Sequence, residues 1–441
     1  MNSPYIPRHN PLNVMADGTI KQVNPFTGTE VWTVPGRGNR PLSRPKADPE
    51  PVTDANREDS CAFCAERMLQ TPPEKARMIR EDDHWRIVRG VTPDQLTETV
   101  PEFRRVPNLF EIVSYDYWRE NYDYRMDAAQ LARREQYLSA PGGREHVLAT
   151  VQNKLKAAGQ DPNLPEERLL ELGDAFFGGG HDLVIGRRHF VDGAENTSQL
   201  ASSGTLTPDE HAAFIRFTVD SMAEIYEHNR YARYVAVFQN WLKPAGASFD
   251  HLHKQLVAID ERGVQSELEI SHLRTNYNMY NEWAVDYANY HNLIIAENQH
   301  VVCFAGFGHR YPTLEVFSKS AVAEPWLQDA SEVRAMSDML HACHAATGPD
   351  VPCNEEWHHK PVDLDVPMPW RIMIKWRVST LAGFEGGTKI YVNTLSPENI
   401  RDRVTTEMIR LRGEGRIAQD LRIGTECHVE PNSLRYNPLL P

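Results

Sequence analysis

The run Phe249-Asp250-His251-Leu252-His253-Lys254-Gln255, followed by Leu256-Val257-Ala258-Ile259, passes from polar groups to a continuous apolar stretch. Four apolar residues in a row predict a core strand. Residues i and i+2 of a strand project from one face, so His251, His253 and Gln255 are expected as a row of three polar side chains, with Lys254 on the other face. The turn Ala245-Gly246-Ala247-Ser248 leads into the row. Surface strands also carry polar rows, but such a row beside a Gly-Ala-Ser turn on a core strand points to chemistry.

Working outward, short apolar runs at His181 to Ile185 and Tyr234 to Phe238 read as further strands, and Thr207-Pro208-Asp209-Glu210 is the capping signal of a helix reaching Asn229. Strands interrupted by a helix predict an α/β or α+β sheet domain. The pattern then recurs: His291 to Ile295 echoes His181 to Ile185, and a helix around Ser331 to Ala346, a strand at Arg371 to Val378 and a helix from Pro397 to about Arg412 follow. The expected architecture is one duplicated core of two half-barrel units, mostly antiparallel sheet with flanking helices, at residues 1–260 and 261–441. The charged helical stretch at about 115–177 is expected to be an insertion or cover.

A chain of 441 residues is long enough for two domains or one large duplicated core. Its 41% apolar and 24% charged residues are ordinary globular usage, and no apolar run approaches the ~20 residues that span a bilayer. The segment Met1 to Asn10 lacks the basic start and apolar core of a secretory signal, so a cytoplasmic protein is expected. Net charge of -14 opposes binding to nucleic acid or an anionic membrane. An anionic substrate then requires a local basic pocket.

Six cysteines are too few for a disulfide framework, and only Cys61 and Cys64 are close in sequence. Cys61-Ala62-Phe63-Cys64 can hold two corners of a tetrahedral zinc ion, form a redox pair, or bury two thiols. For the row, a neutral imidazole such as His253 can attack phosphorus and later leave, provided a carbonyl fixes its tautomer. Gln255 can donate to a phosphoryl oxygen as charge builds there. His251 can serve as a metal ligand.

These motifs together resemble the galactose-1-phosphate uridylyltransferase family of the histidine-triad superfamily. The segments that carry the resemblance are Asn24-Pro25-Phe26-Thr27-Gly28 with Val34 to Pro41, the Cys61/Cys64 pair, Val106 to Phe110, His181 to His189, Phe238-Gln239-Asn240 with Gly246 to Gln255, and Ala382 to Thr388 with Ile390 to Asn393. The resemblance implies one structural zinc per chain on Cys61, Cys64, His189 and His251, with His253 as nucleophile and Gln255 as phosphoryl partner. It places Arg37, Arg40, Asn108, Asn240 and Ser248 at the nucleotide and phosphates, and Glu385 at hexose hydroxyls. It also implies a homodimer acting on nucleotide sugar and sugar phosphate.

Two departures stand out. The family's second half commonly carries its own H-x-H, which with a Glu and another His binds a second metal. Here Met373 and Lys375 occupy those places, with Glu269, His358 and His359 as remnants, so no second metal is expected. The signature also reads Asp-His-Leu-His-Lys-Gln where the family often has Asn-Pro-His-Pro-His before its Gln. The expected reaction is ping-pong transfer of a nucleoside monophosphate from a nucleoside diphosphate sugar to a sugar 1-phosphate through nucleotidyl-His253. The alternatives are a phosphorylase for nucleoside diphosphate sugars or dinucleoside polyphosphates, with phosphate as acceptor, and a non-catalytic nucleotide-sugar binding protein.

Overall fold

A computed structural model describes residues 10–36, 42 and 48–439. The strands are β1 (Leu12–Val14), β2 (Ile20–Val23), β3 (Glu30–Thr33), β4 (Ala76–Glu81), β5 (His84–Arg89), β6 (Pro101–Pro107), β7 (His181–Gly186) and β8 (Tyr234–Trp241). They continue with β9 (His253–Ile259), β10 (Ile294–Glu297), β11 (Val301–Ala305), β12 (Thr313–Ser318), β13 (Cys353–His358), β14 (Arg371–Trp376), β15 (Ile390–Asn393) and β16 (Arg422–Ile423). Twelve of them form one sheet in the order β16-β10-β11-β12-β14-β13-β8-β9-β7-β6-β4-β5, in which neighbours run antiparallel. The expected α+β, mostly antiparallel architecture is borne out.

The duplication is visible in the topology. One half reads β7, helix Pro208–His228, β8, β9; the other reads β12, helix Ala330–Thr347, β13, β14. The halves meet edge to edge where β8 pairs with β13, Asn240 opposite Asn354. The equivalent of β7 is thus β12, whereas the echo at His291 to Ile295 leads into β10, so that echo does not mark equivalent strands.

Both helices begin where local chemistry dictates. Thr207 accepts from the Glu210 N–H at 3.2 Å while the Glu210 carboxylate takes the Thr207 N–H at 2.8 Å, with Pro208 at the first helical position. Asp329 caps the second helix through the Ser331 and Glu332 amides. Phe214, Phe217, Met222 and Ile225 of the first and Met336, Met339, Leu340 and Cys343 of the second join the main core. Both helices cover one face of the sheet, leaving the other for the site. The helices Tyr115–Tyr122, Ala128–Ser139, Gly143–Ala157 and Glu166–Gly173 bear out the helical insertion, which has a small core of its own around Tyr137, Val147, Val151 and Phe176.

A four-stranded sheet, β1-β2-β3-β15, joins the two ends of the chain, with β15 parallel to β3. It lies against the second half: Asn24 Nδ2 donates to Phe307 O at 3.3 Å, the Gly308 N–H to Gln22 Oε1 at 3.0 Å, and Phe26 meets Tyr280 at 5.1 Å. Among the described residues, no helix is long and apolar enough to cross a membrane.

Candidate active and metal site

Strand β9 starts at His253, so His251 lies in the bend that precedes it and only His253 and Gln255 are strand residues. The connection from β8 turns at Gly246, whose φ of +91° favours glycine. His251 lies outside the ladder, and its ring reaches the Gly186 carbonyl at the end of β7.

Cys61, Cys64, His189 and His251 converge, their ligand atoms all within 4.8 Å of one another. The two Sγ atoms are 3.8 Å apart, the four S···Nδ1 separations are 3.5, 3.5, 3.5 and 3.8 Å, and the two Nδ1 atoms are 3.2 Å apart. A tetrahedral ion with Zn–S about 2.3 Å and Zn–N about 2.05 Å requires roughly 3.8 Å for S···S, 3.5 Å for S···N and 3.4 Å for N···N. The four side chains therefore fit such an ion. His251 Nε2 donates to Gly186 O at 2.7 Å, which turns its Nδ1 lone pair into the cluster. The Cys64 thiol is held well below its ordinary pKa, first by the hydrogen bond from Cys61 and then by the two imidazoles. With four protein ligands the site closes on itself.

His253 is 4% exposed. Its Nδ1 donates to His251 O at 2.7 Å, so the Nε2 lone pair is the free one. Burial pushes its pKa down to about 4, leaving the ring neutral at pH 7. Phe63, between the two cysteines, packs on this ring at 5.2 Å and on Phe249 at 4.7 Å, tying the metal cluster to the strand.

Gln255 accepts at Oε1 from His181 Nε2 at 3.1 Å, and the Ile112 N–H donates to His181 Nδ1 at 3.0 Å. With Nδ1 taken as acceptor, the His181 proton sits on Nε2 and the Gln255 amide is turned so that its NH2 is left over. Asn108 Nδ2 lies 3.0 Å from the same His181 nitrogen, which brings Asn108 into the group. Asn240 joins from β8, its Oδ1 accepting from Asn354 Nδ2 at 2.7 Å. The row can thus offer one nucleophilic nitrogen and two amides to a phosphoryl group.

Two other expected residues lie among those described. Ser248 is exposed in the turn before the strand. Glu385 lies by the small sheet, its carboxylate accepting the Ala382 and Val392 N–H groups at 2.9 and 3.1 Å, and among the described residues no contact joins it to His253. Arg37 and Arg40 lie outside the described residues. Lys254 faces the helices as expected, fully buried, with Nζ 2.6 Å from Glu355 and 4.8 Å from the Phe214 ring. Sequence reading did not assign His181 or Asn354 to the site. His181 opens the strand quoted for the resemblance, but the partner that gives it a role is 74 residues away.

In the second half, Glu269 is held by Arg371 and by Tyr280 Oη at 2.5 Å, and Lys375 pairs with Glu356 at 2.5 Å. A guanidinium and an ammonium thus serve these carboxylates.

The chain is 21% identical over 389 residues to "ADP-glucose phosphorylase" of Arabidopsis thaliana, a match that covers 86% of this chain and 90% of that protein. The crystal structure of an ADP-glucose phosphorylase from Arabidopsis thaliana with bound ADP-glucose superposes with a TM-score of 0.57 at 19% identity, covering 88% of this chain and 98% of that one. A galt-like protein from Arabidopsis thaliana gives 0.52 at 19% identity, covering 79% and 92%. The fold is the one these proteins share, in agreement with the resemblance read from the sequence. The model of the family described as "Domain of unknown function (DUF4921)" matches residues 15–436, and the chain belongs to that family.

Proposed function

We propose that this protein is a nucleotidyltransferase acting on nucleoside diphosphate sugars, with His253 as the covalent carrier. The observation that carries the reading is the His253 ring: buried, neutral, with Nδ1 held by a backbone carbonyl and Nε2 free beside Gln255. Nε2 attacks the α-phosphorus and forms a P–N bond as the P–O bond to the sugar phosphate breaks, so the leaving group departs with its electron pair as an anion. The ring becomes cationic, and its Nδ1–H bond to His251 O strengthens. Attack by an acceptor phosphate oxygen reverses these events and restores neutral His253. The free NH2 groups of Gln255 and Asn240 stabilise charge on the phosphoryl oxygens.

Cys61, Cys64, His189 and His251 would hold zinc, which would fix the bend whose carbonyl sets the His253 tautomer. As a closed structural ion it supplies no chemical step. The acceptor is a sugar 1-phosphate in the first reading. Inorganic phosphate is the second, a reading supported by the likeness to proteins called ADP-glucose phosphorylase. The family resemblance adds a homodimer and galactose as the sugar, and the reading of Met1 to Asn10 adds a cytoplasmic setting.

Incubation with nucleoside diphosphate sugars labelled in the α-phosphate should give acid-labile label on the protein, lost in His253→Ala. If no donor labels the wild type and His253→Ala binds every donor as tightly, the reading fails.

A further inference from the structure

Phe238 pairs with Gln255 across β8 and β9, Asn240 with Asn354 across β8 and β13, and Asn354 with Lys375 across β13 and β14. Because side chains alternate along each strand, Gln255, Asn240, Asn354 and Lys375 share the face that carries His253, and Arg377, just past the end of β14, reaches that face through Asn354. Of the cations in this row, Lys375 is neutralised by Glu356. No carboxylate pairs with Arg377 among the described residues. Its Nη1 donates to Asn354 Oδ1 at 2.6 Å, its guanidinium stands 4.7 Å from the Tyr311 ring, and its Nε is buried without a partner. Arg310 stands against the same ring at 4.8 Å, and its Nε is likewise buried without a partner. Arg310 also stands 5.5 Å from the Tyr391 ring, and neither guanidinium has a carboxylate partner among the described residues, a local exception in a chain of net charge -14.

We infer that Arg377, backed by Arg310, forms a phosphate-binding subsite that the second half of the chain supplies to the His253 site. Resting on the function proposed above, this subsite takes the phosphate that leaves with the sugar and the phosphate that attacks in the second half-reaction. Asn354 joins the two regions: it accepts from Arg377 and donates to Asn240 Oδ1 at 2.7 Å, which leaves Asn240 Nδ2 toward the transferred phosphoryl group. Strands β9 and β13 are two strand spacings apart, about 10 Å. A phosphoryl group on His253 with a second phosphate beyond it spans that gap. The planar guanidinium fork suits two phosphate oxygens, and the tyrosine face holds its plane.

Inorganic phosphate is the probe, with binding followed by the rise in melting temperature and by competition with labelling of His253. In Arg377→Gln the affinity for phosphate should fall about 10- to 100-fold, and in Arg310→Gln by less, while binding of a nucleoside monophosphate changes by under about twofold. Arg377→Lys keeps the charge but loses the fork and should fall between, which preserves the test if Arg377→Gln does not fold. The subsite is overturned if wild type does not bind millimolar phosphate, if Arg377→Gln binds it equally well, or if nucleoside monophosphate binding is lost in parallel. If no sugar nucleotide labels His253 yet phosphate binding depends on Arg377, the subsite stands and the enzymatic reading falls.

Discussion

Strands β9 and β14 occupy equivalent places in the two halves, each flanked by the strand before it and by the strand ahead of the covering helix. On β9 the site-face groups are His253 and Gln255, neutral and each with one valence left open. On β14 the site-face groups are Arg371, Met373 and Lys375, the first and last closed by Glu269 and Glu356. The same backbone therefore supports an open site on one side and internal ion pairs on the other. What separates them is where hydrogen-bonding capacity is left unspent: paired carboxylates in the second half stabilise the fold, whereas the first half keeps an imidazole nitrogen and amide protons for a ligand.

The largest break in this contrast should come from removing a metal ligand, which β14 has no counterpart for. Cys61→Ser is expected to lower bound zinc from one per chain to near zero and to cost several kcal/mol, since apparent zinc-binding energies in small zinc folds are about 10–16 kcal/mol. Metal content and denaturant midpoints measure it; a fully stable, fully active Cys61→Ser protein would falsify the structural-ion role.

Next comes the seam between the halves. Lys254 and Glu355 are both fully buried, and Glu355 also accepts from His344 Nε2 at 2.7 Å. Lys254→Met should leave Glu355 as a buried unpaired charge and destabilise by about 3–5 kcal/mol, with Lys254→Met/Glu355→Leu recovering part of the loss. A double variant no more stable than Lys254→Met would show that the pair is not the source of the cost.

Gln255→Ala should slow His253 labelling about 100- to 1,000-fold, the loss seen when one positioned oxyanion donor is removed, with little change in melting temperature. Lys375→Gln, on the site face of β14, should by contrast slow labelling less than about threefold. Similar losses in the two would erase the distinction between open and closed strands.

The smallest effect concerns Glu111, next to the Ile112 amide that orients His181. Burial raises its carboxyl pKa from the usual range to about 7, so the folded chain holds that proton where the unfolded chain has released it. Its contribution to stability is complete below pH ~4.5 and is lost as pH rises through about 7. Glu111→Gln should therefore gain melting temperature over wild type at pH 8 and converge with it near pH 5. Parallel pH curves for the two would contradict this.

The run His251 to Gln255 and the Cys61/Cys64 pair were readable because their chemistry lies in short spacings: i, i+2 places two groups on one strand face, and C-x-x-C sets two thiolates at the edge of one tetrahedron. The Thr207 cap was local in the same way. His181, Asn354 and Arg377 were not readable as a set, because each takes its meaning from a partner on another strand. Glu385 was read from a motif, while the Ala382 and Val392 amides that its carboxylate accepts are set by the fold around β15.

Periodicity and spacing, which act within a few residues, were enough for the strands and helices, the paired thiols of Cys61 and Cys64 and the row from His251 to Gln255, while the family resemblance supplied the full ligand set and the proposed role of His253. Tertiary structure alone decided that β8 pairs with β13, that His251 leaves the strand, and that cations of the second half face the His253 site. Those outcomes depend on strand register, and register is settled by packing between residues more than a hundred positions apart.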